Sequence, residues 1–206
     1  ERIRFISPHP YYMTERVIGA MAQVRAVCEG LHLPVQSGSN TILKSMLRNY
    51  TCDHYLELVA RLRSAMPDIV ISTDLIVGFP GETEEDFRRT LSLIKEVQFD
   101  WGFVFKYSPR QGTLAADLPL HPIELIEERH HECLDLVERI GLKRRSSLIG
   151  SIQEVLVEED NLGRTRGNYK MKVDRVISPG DTVRAVVTNV DHVTLGGECV
   201  AEPIFV

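Results

Sequence analysis

Four times before residue 148, an apolar run of strand length ends in glycine, proline or polar residues and gives way to a helix-like stretch. Residues 3–6 stop at Ser7-Pro8-His9-Pro10, where two prolines cannot donate to a strand ladder. Thr14 then caps an amphipathic segment over 15–28, with Val17, Ala20, Met21, Val24 and Val27 on one face and Gly30 closing it. Residues 31–35 stop at Gln36-Ser37-Gly38-Ser39, before a short helix over 42–47 and a Thr51-capped one reaching Ala65. Residues 69–77 are mostly aliphatic, which suits a strand buried on both faces, and they break at Gly78-Phe79-Pro80-Gly81. Thr83 and Asp86 make a variant capping box for a helix with Phe87, Leu91, Ile94 and Val97 as its stripe. Residues 102–107 form the fourth run, and a long helix over 122–148 follows. Parallel strands need crossovers of helical length, and such crossovers are right-handed. The alternation predicts an α/β fold with parallel strands in chain order and residues 3–6 at an exposed edge.

After Gly150 the texture changes. Short β-rich stretches at 152–158, 169–176, 182–191 and 193–198 are separated by turn signals at Asp160-Asn161-Leu162-Gly163 and Pro179-Gly180-Asp181. Close strands without intervening helices predict a small all-β barrel, with the domain boundary near residue 149.

Net charge is −5, and a split at Gly150 leaves both parts acidic. Nucleic-acid binding would need a local patch, either Lys143-Arg144-Arg145 or Arg164, Arg166, Lys170 and Lys172. Arg164 and Arg166 alternate, so in an extended segment they share a face and could follow phosphates, with Tyr169 stacking on a base. A solvated hairpin explains the same residues. The four cysteines lie far apart, without the spacing of a zinc or iron–sulfur loop, and no metal site is assigned. No apolar run reaches membrane-spanning length and no signal peptide is seen, so a soluble cytoplasmic protein without membrane contact is expected. The chain opens on Glu1 directly before a strand-like run, as expected of a piece of a longer protein.

The polar clusters fall at the carboxyl ends of the strands, the edge where α/β folds bind ligands. Gly78 and the helix start after it allow a ligand close to the backbone; a tight strand–helix turn needs the same residues. Gln36, Ser37 and Ser39 either reach a ligand or close turn hydrogen bonds. Asp74 interrupts an aliphatic run, so it faces a lumen or pairs with an arginine. Tyr107 and Ser108 end the fourth run, as ligand contacts or as rim packing. His9, on the same edge, reads as a loop hydrogen-bonder.

Several blocks carry a resemblance. Leu31 through Ser39 (LHLPVQSGS), Ile71 through Thr83 (ISTDLIVGFPGET), Phe99-Asp100, Tyr107-Ser108-Pro109-Arg110, Gly112-Thr113 and Gly163 through Asn168 (GRTRGN) occur in this order. Together they resemble the radical S-adenosylmethionine (SAM) methylthiotransferases, and the Pro-Val-Gln-Ser-Gly-Ser wording is closer to the tRNA-modifying MiaB type than to the ribosomal-protein branch. The blocks cover nearly the whole chain. Gln111 stands where the family has proline. The family's Cys-x-x-x-Cys-x-x-Cys loop and its N-terminal domain would precede Glu1.

The resemblance implies a partial radical SAM (β/α) barrel over 1–148 and a TRAM, OB-like RNA-binding barrel over 149–206. It implies SAM as cofactor and two [4Fe–4S] clusters in the full-length protein, with ligands outside this chain, which alone is expected to be inactive. A reduced cluster would cleave SAM to a deoxyadenosyl radical that takes hydrogen from the 2-position of an N6-modified adenosine beside the tRNA anticodon, and a second cluster would supply the methylthio group. The partners implied are the tRNA anticodon stem-loop and an electron donor. Gln36, Ser37, Ser39, Asp74, Val77, Gly78, Phe79, Tyr107 and Ser108 would contact SAM, with Glu82 holding the turn, and Arg164, Arg166, Tyr169, Lys170 and Lys172 would contact RNA; no catalytic residue is assigned. A cluster-free RNA-binding module and a SAM-binding remnant remain as alternatives.

Overall fold

The structure, a computed structural model, describes residues 2–200. Its centre is β2 (Val70–Val77), flanked by β1 (Gly30–His32) and β3 (Trp101–Lys106). All pair in parallel, in chain order, with Leu31 beside Ile71 and Asp74 beside Phe103. Side chains alternate across a strand, so Ile71, Leu75 and Val77 enter the main core with Tyr55, Leu62, Phe87 and Ile94. On the opposite alternation Val70 packs into a second core, while Asp74 and Ile76 are only half buried. The strand is therefore closed on one face and partly open on the other.

The crossover helices are α1 (Glu15–Gln23), α2 (Asn40–Ser45), α3 (Cys52–Ala65), α4 (Glu84–Val97) and α5 (Ile123–Ser146). Thr14, Ser39, Thr51 and Thr83 cap the first four, and Thr83 forms the full reciprocal box with Asp86. Pro122 stands at the N-cap of α5, which runs along β3 and buries Ile126, Cys133, Val137 and Ile140.

Two sequence expectations in this half need correction. Residues 3–6 form only isolated parallel bridges, Ile3 to Val27 and Ile6 to His32. Arg2 and Arg4 instead reach the carbonyls of Arg164 and Thr165, at 2.7 and 2.9 Å, and the prolines beyond end the pairing. Helix α1 stops at Gln23, five residues short of Cys28, because Val24 turns extended and Val27 leaves to bridge Ile3. The freed carbonyls of Arg25 and Val27 accept hydrogen bonds from Arg166 at 2.9 and 2.8 Å.

Beyond α5 lies a closed barrel of β4 (Ile152–Glu159), β5 (Leu162–Thr165), β6 (Lys170–Val173), β7 (Thr182–Asp191) and β8 (Thr194–Cys199), ordered β4-β5-β6-β8-β7. Only β6 and β8 pair in parallel. Val155, Val157, Met171, Val183, Ala185, Val187 and Leu195 fill its core. The strand β5 escaped the sequence reading because Leu162 and Gly163 looked like turn residues. Gly163 is instead a close-approach glycine, since a Cβ there would lie 2.3 Å from the Leu156 carbonyl oxygen.

The barrel docks on the sheet through a buried network. Asp100 Oδ1 accepts from Tyr169 Oη at 2.5 Å and Arg144 Nε at 2.6 Å, and its Oδ2 accepts from the Ile71 amide at 2.8 Å. Arg166 adds a bidentate pair to Glu29 at 2.7 and 2.9 Å. Replacing Asp100 with Ala should leave a guanidinium and a phenol unpaired and cost about 3 kcal/mol. Tyr169→Phe keeps the ring and removes one hydrogen bond to a charged group, for about 1.5 kcal/mol. Urea unfolding of both variants checks this, and equal losses would show that Asp100 binds the barrel alone rather than three elements.

Candidate functional site

The turn after β2 is built by its own residues. Gly78 has φ 72°, and a Cβ there would meet Ile126 at 2.7 Å, so both backbone conformation and packing require glycine. Its N–H donates to Glu82 Oε2 at 2.9 Å, and the same oxygen accepts from Arg129 Nη1 at 2.9 Å. Arg129 also bonds the Glu82 carbonyl at 2.9 Å. Burial pushes the Glu82 carboxyl above its ordinary value, with the Gly78 amide and Arg129 opposing the shift. Glu82 thus holds the turn. Arg129 was legible as a cation among the apolar residues Ile126, Cys133 and Val137 of α5 but was not singled out.

Beside this turn, Phe79 meets Tyr107 edge-to-face at 5.0 Å. They line a groove of about 560 Å³ with Ser108, Ile76 and Phe105, at the carboxyl ends of β2 and β3. The Tyr107 hydroxyl is buried and has no hydrogen-bond partner among the described residues. A buried hydroxyl without a partner is a polar group that a ligand could satisfy.

The remaining proposed cofactor contacts do not converge there. Ser37 and Ser39 are fully buried and bind the loop to α4. Ser39 Oγ donates to Asp86 Oδ1 at 2.5 Å, the Ser39 amide donates to Ser37 Oγ at 3.1 Å, and the Gly38 amide donates to Thr90 Oγ1 at 3.0 Å. Of the two sequence readings for these serines, turn hydrogen bonding is the one the structure displays. Gln36, at φ 72°, extends the ladder beside Leu75, exchanging backbone bonds with Asp74 and Ile76 at 2.9 Å. Val77 is wholly inside the core. Asp74 opens on the free face of the sheet, and its partner is His32 at 3.2 Å rather than an arginine. It lines a second groove of about 610 Å³ with Trp101, Phe103, Arg145, Arg164 and Lys170, between sheet and barrel.

The proposed RNA contacts also divide. Tyr169 is buried, and burial with the Asp100 carboxylate beside it pushes its phenol up. Its ring packs on Trp101 at 5.4 Å, so no face is open for a base. Arg166 spends its donors on Glu29, Arg25 and Val27. Both are docking groups, which corrects the expectation of a phosphate grip at Arg166 and base stacking at Tyr169. Arg164 pairs with Glu158 at 3.2 Å. Lys170 and Lys172 point outward from β6 and pair with no carboxylate among the described residues. No group of three or more His, Cys, Asp or Glu among the described residues is placed to hold a metal ion.

Residues 1–94 match the Radical SAM superfamily. The tRNA-2-methylthio-N(6)-dimethylallyladenosine synthase of Caldicellulosiruptor saccharolyticus is 47% identical over 180 residues, covering 84% of this chain and 38% of that protein. The corresponding synthase 1 of Mycobacterium marinum is 51% identical over 205 residues, covering 92% of this chain and 39% of its own length. The chain spans less than half the length of these curated relatives. Among solved structures, coproporphyrinogen III oxidase from Escherichia coli aligns with a TM-score of 0.51 at 18% identity, over 85% of this chain and 44% of that one, a likeness of fold.

The Asp86 node supplies a pH test of the loop that carries Gln36 to Ser39. Burial works against its charge, but hydrogen bonds from Ser39 and Thr83 hold its carboxyl below the ordinary 3.8. A depressed acid contributes stability that is present above about pH 4 and lost as pH falls through the folded value. The gap in urea midpoint between wild type and Asp86→Asn should therefore be widest near neutrality and shrink below about pH 4. An unchanged gap across that range would show that the Asp86 charge does not fasten the loop.

Proposed function

Because the chain belongs to the radical SAM methylthiotransferase family, we propose that it is the C-terminal part of an enzyme that adds a methylthio group to the 2-position of an N6-modified adenosine beside the tRNA anticodon. The observation that carries this reading is identity of 47–51% to two tRNA methylthio-adenosine synthases over 84–92% of the chain. Residues 1–148 then belong to the radical SAM half-barrel and 149–206 to a TRAM domain. The open alternation of β2 and β3, with Asp74, Ile76, Phe103 and Phe105, is the wall that upstream strands would face. The whole protein would work in the cytoplasm with an electron donor.

The groove at Phe79 fits a nucleoside. Its ring pair offers an apolar slot for adenine, and the Tyr107 hydroxyl is free to bond a heteroatom. SAM and the clusters supply radical and sulfur chemistry when bound, and cluster ligands would come from sequence outside this chain. The chain's own groups do simpler work. Glu82 and Arg129 hold the turn, Phe79 and Tyr107 shape the slot, and Ser39 with Asp86 fixes the neighbouring loop.

The test is the protein extended upstream, reconstituted anaerobically with iron and sulfide and supplied with SAM, a reductant and tRNA bearing the N6 modification. Nucleoside mass spectrometry should find the methylthio product, and its absence from a cluster-loaded enzyme would overturn the proposal. Tyr107→Phe should weaken SAM binding roughly fivefold, the worth of one hydrogen bond. The 206-residue chain by itself should bind no stoichiometric iron or sulfide after the same treatment. Stoichiometric binding would place a ligand set among its four cysteines.

A further inference from the structure

The groove at the carboxyl ends of β2 and β3 has a property that the cofactor does not use. Its walls carry Arg48, Lys106 and Arg110 and no acidic side chain, in a chain whose net charge is −5. Lys106 is paired with Glu127 at 3.0 Å. Arg48 keeps a buried Nε without a hydrogen-bond partner, and neither Arg48 nor Arg110 pairs with a carboxylate among the described residues. Two cations on this rim, Arg48 and Arg110, therefore stand without a carboxylate partner among the described residues.

Aromatic rings gather around Tyr50, two residues along the chain from Arg48. The His9 ring meets Tyr50 edge-on at 5.2 Å and Tyr12 at 5.6 Å, and Tyr11 stands perpendicular to Tyr12 at 5.2 Å. His9 lies close enough to Arg48 that this charge, after burial, holds its imidazole below the ordinary value. Tyr11 and Tyr12 are 55% and 69% exposed, so much of each side chain is open to solvent. A surface tyrosine alone means little, but open rings beside unpaired guanidinium groups are what a single-stranded nucleic acid uses, one for bases and the other for phosphates. A duplex, with its bases already stacked, would gain only the phosphate contacts.

We propose that an unpaired RNA loop crosses this rim, with Arg48 and Arg110 on phosphates and Tyr11 and Tyr12 stacking a base. The inference rests on the tRNA reading above and places the grip beside the cofactor groove, on residues the sequence reading had not assigned to RNA. It also accounts for the RNA contact without Arg166 and Tyr169, which are spent on docking.

The experiment uses the 206-residue chain, a labelled stem-loop RNA with an unpaired purine-rich loop, and a blunt duplex of equal length, titrated over a range of salt. Wild type should prefer the stem-loop. Arg48→Ala with Arg110→Ala should flatten the slope of log affinity against log salt by roughly 1.4–1.8, and the Lys pair at both positions should restore it. Tyr11→Ser with Tyr12→Ser should weaken stem-loop binding roughly fivefold to a hundredfold while leaving the slope and duplex binding unchanged. A slope unaffected by the alanine pair in a variant with wild-type circular dichroism overturns the inference, as does an equal loss on duplex and stem-loop in the tyrosine variant, or no binding by wild type. If the slope falls only in Lys170→Ala with Lys172→Ala, the grip is on the barrel, and the tRNA reading survives without this one. The failure of that reading is registered separately, by the missing methylthio nucleoside in the extended enzyme.

Discussion

Asp100 is 1% exposed and sits where α4 hands over to β3. A carboxylate at that depth is tolerated only when its lone pairs are filled. Its donors come from three parts of the chain: the Ile71 amide on β2, Arg144 in the last turn of α5, and Tyr169 at the entry to β6. Arg145 caps the arrangement by bonding the Asp100 carbonyl at 3.0 Å. The sheet, the closing helix and the barrel are thereby fixed against one another through a single side chain. Burial disfavours the charge on Arg144, yet the carboxylate beside it more than offsets that cost and holds the guanidinium above its ordinary value.

The second clamp explains features that look unrelated in the sequence. Arg166 needs acceptors at the end of α1, and it finds them because that helix unwinds at Val24 and turns out two carbonyls. Arg2 and Arg4 reach the same barrel edge from the other side, which takes residues 3–6 out of a regular ladder. Val70, the first residue of the central strand, packs into the barrel core rather than the main one. The docking interface therefore shortens one helix and reduces one strand to bridges. In exchange it places Arg164 and Lys170 across a groove from Asp74 and Phe103.

Elements whose cause is local were the ones legible beforehand. The Thr83–Asp86 box, the Thr51 cap, the stripe Phe87, Leu91, Ile94 and Val97, and the parallel order of the runs all follow from spacing and capping chemistry, and the structure displays each. His9 is the loop hydrogen-bonder that its setting suggested, accepting from the Tyr11 amide at 3.3 Å. What escaped depends on partners distant in sequence. The destination of Arg166 lies 137 residues away at Glu29, and that of Tyr169 lies 69 residues away at Asp100. No periodicity shows that an arginine in a β-rich hairpin is a domain clamp. Ser37 and Ser39 illustrate the same limit. A polar loop at a strand end looks like a ligand contact until α4, about fifty residues on, is seen to occupy its hydrogen bonds.

Net charge is a coarse guide for a related reason. The chain is acidic overall, but many of its carboxylates lie on helix exteriors in pairs such as Glu84 with Arg88, Glu85 with Arg89 and Glu15 with Arg61. Others are consumed inside the fold, Glu82 by Arg129, Asp100 by Arg144 and Glu29 by Arg166. Paired charges contribute little field beyond a Debye length, so the sum says little about any one surface. What an anionic ligand meets is the local imbalance where cations stand without such partners. That imbalance lies at the strand-end groove, with Arg48 and Arg110, and on the outer face of β6, with Lys170 and Lys172. An acidic protein can thus present a cationic edge, provided its carboxylates are spent in ion pairs or within the docking network.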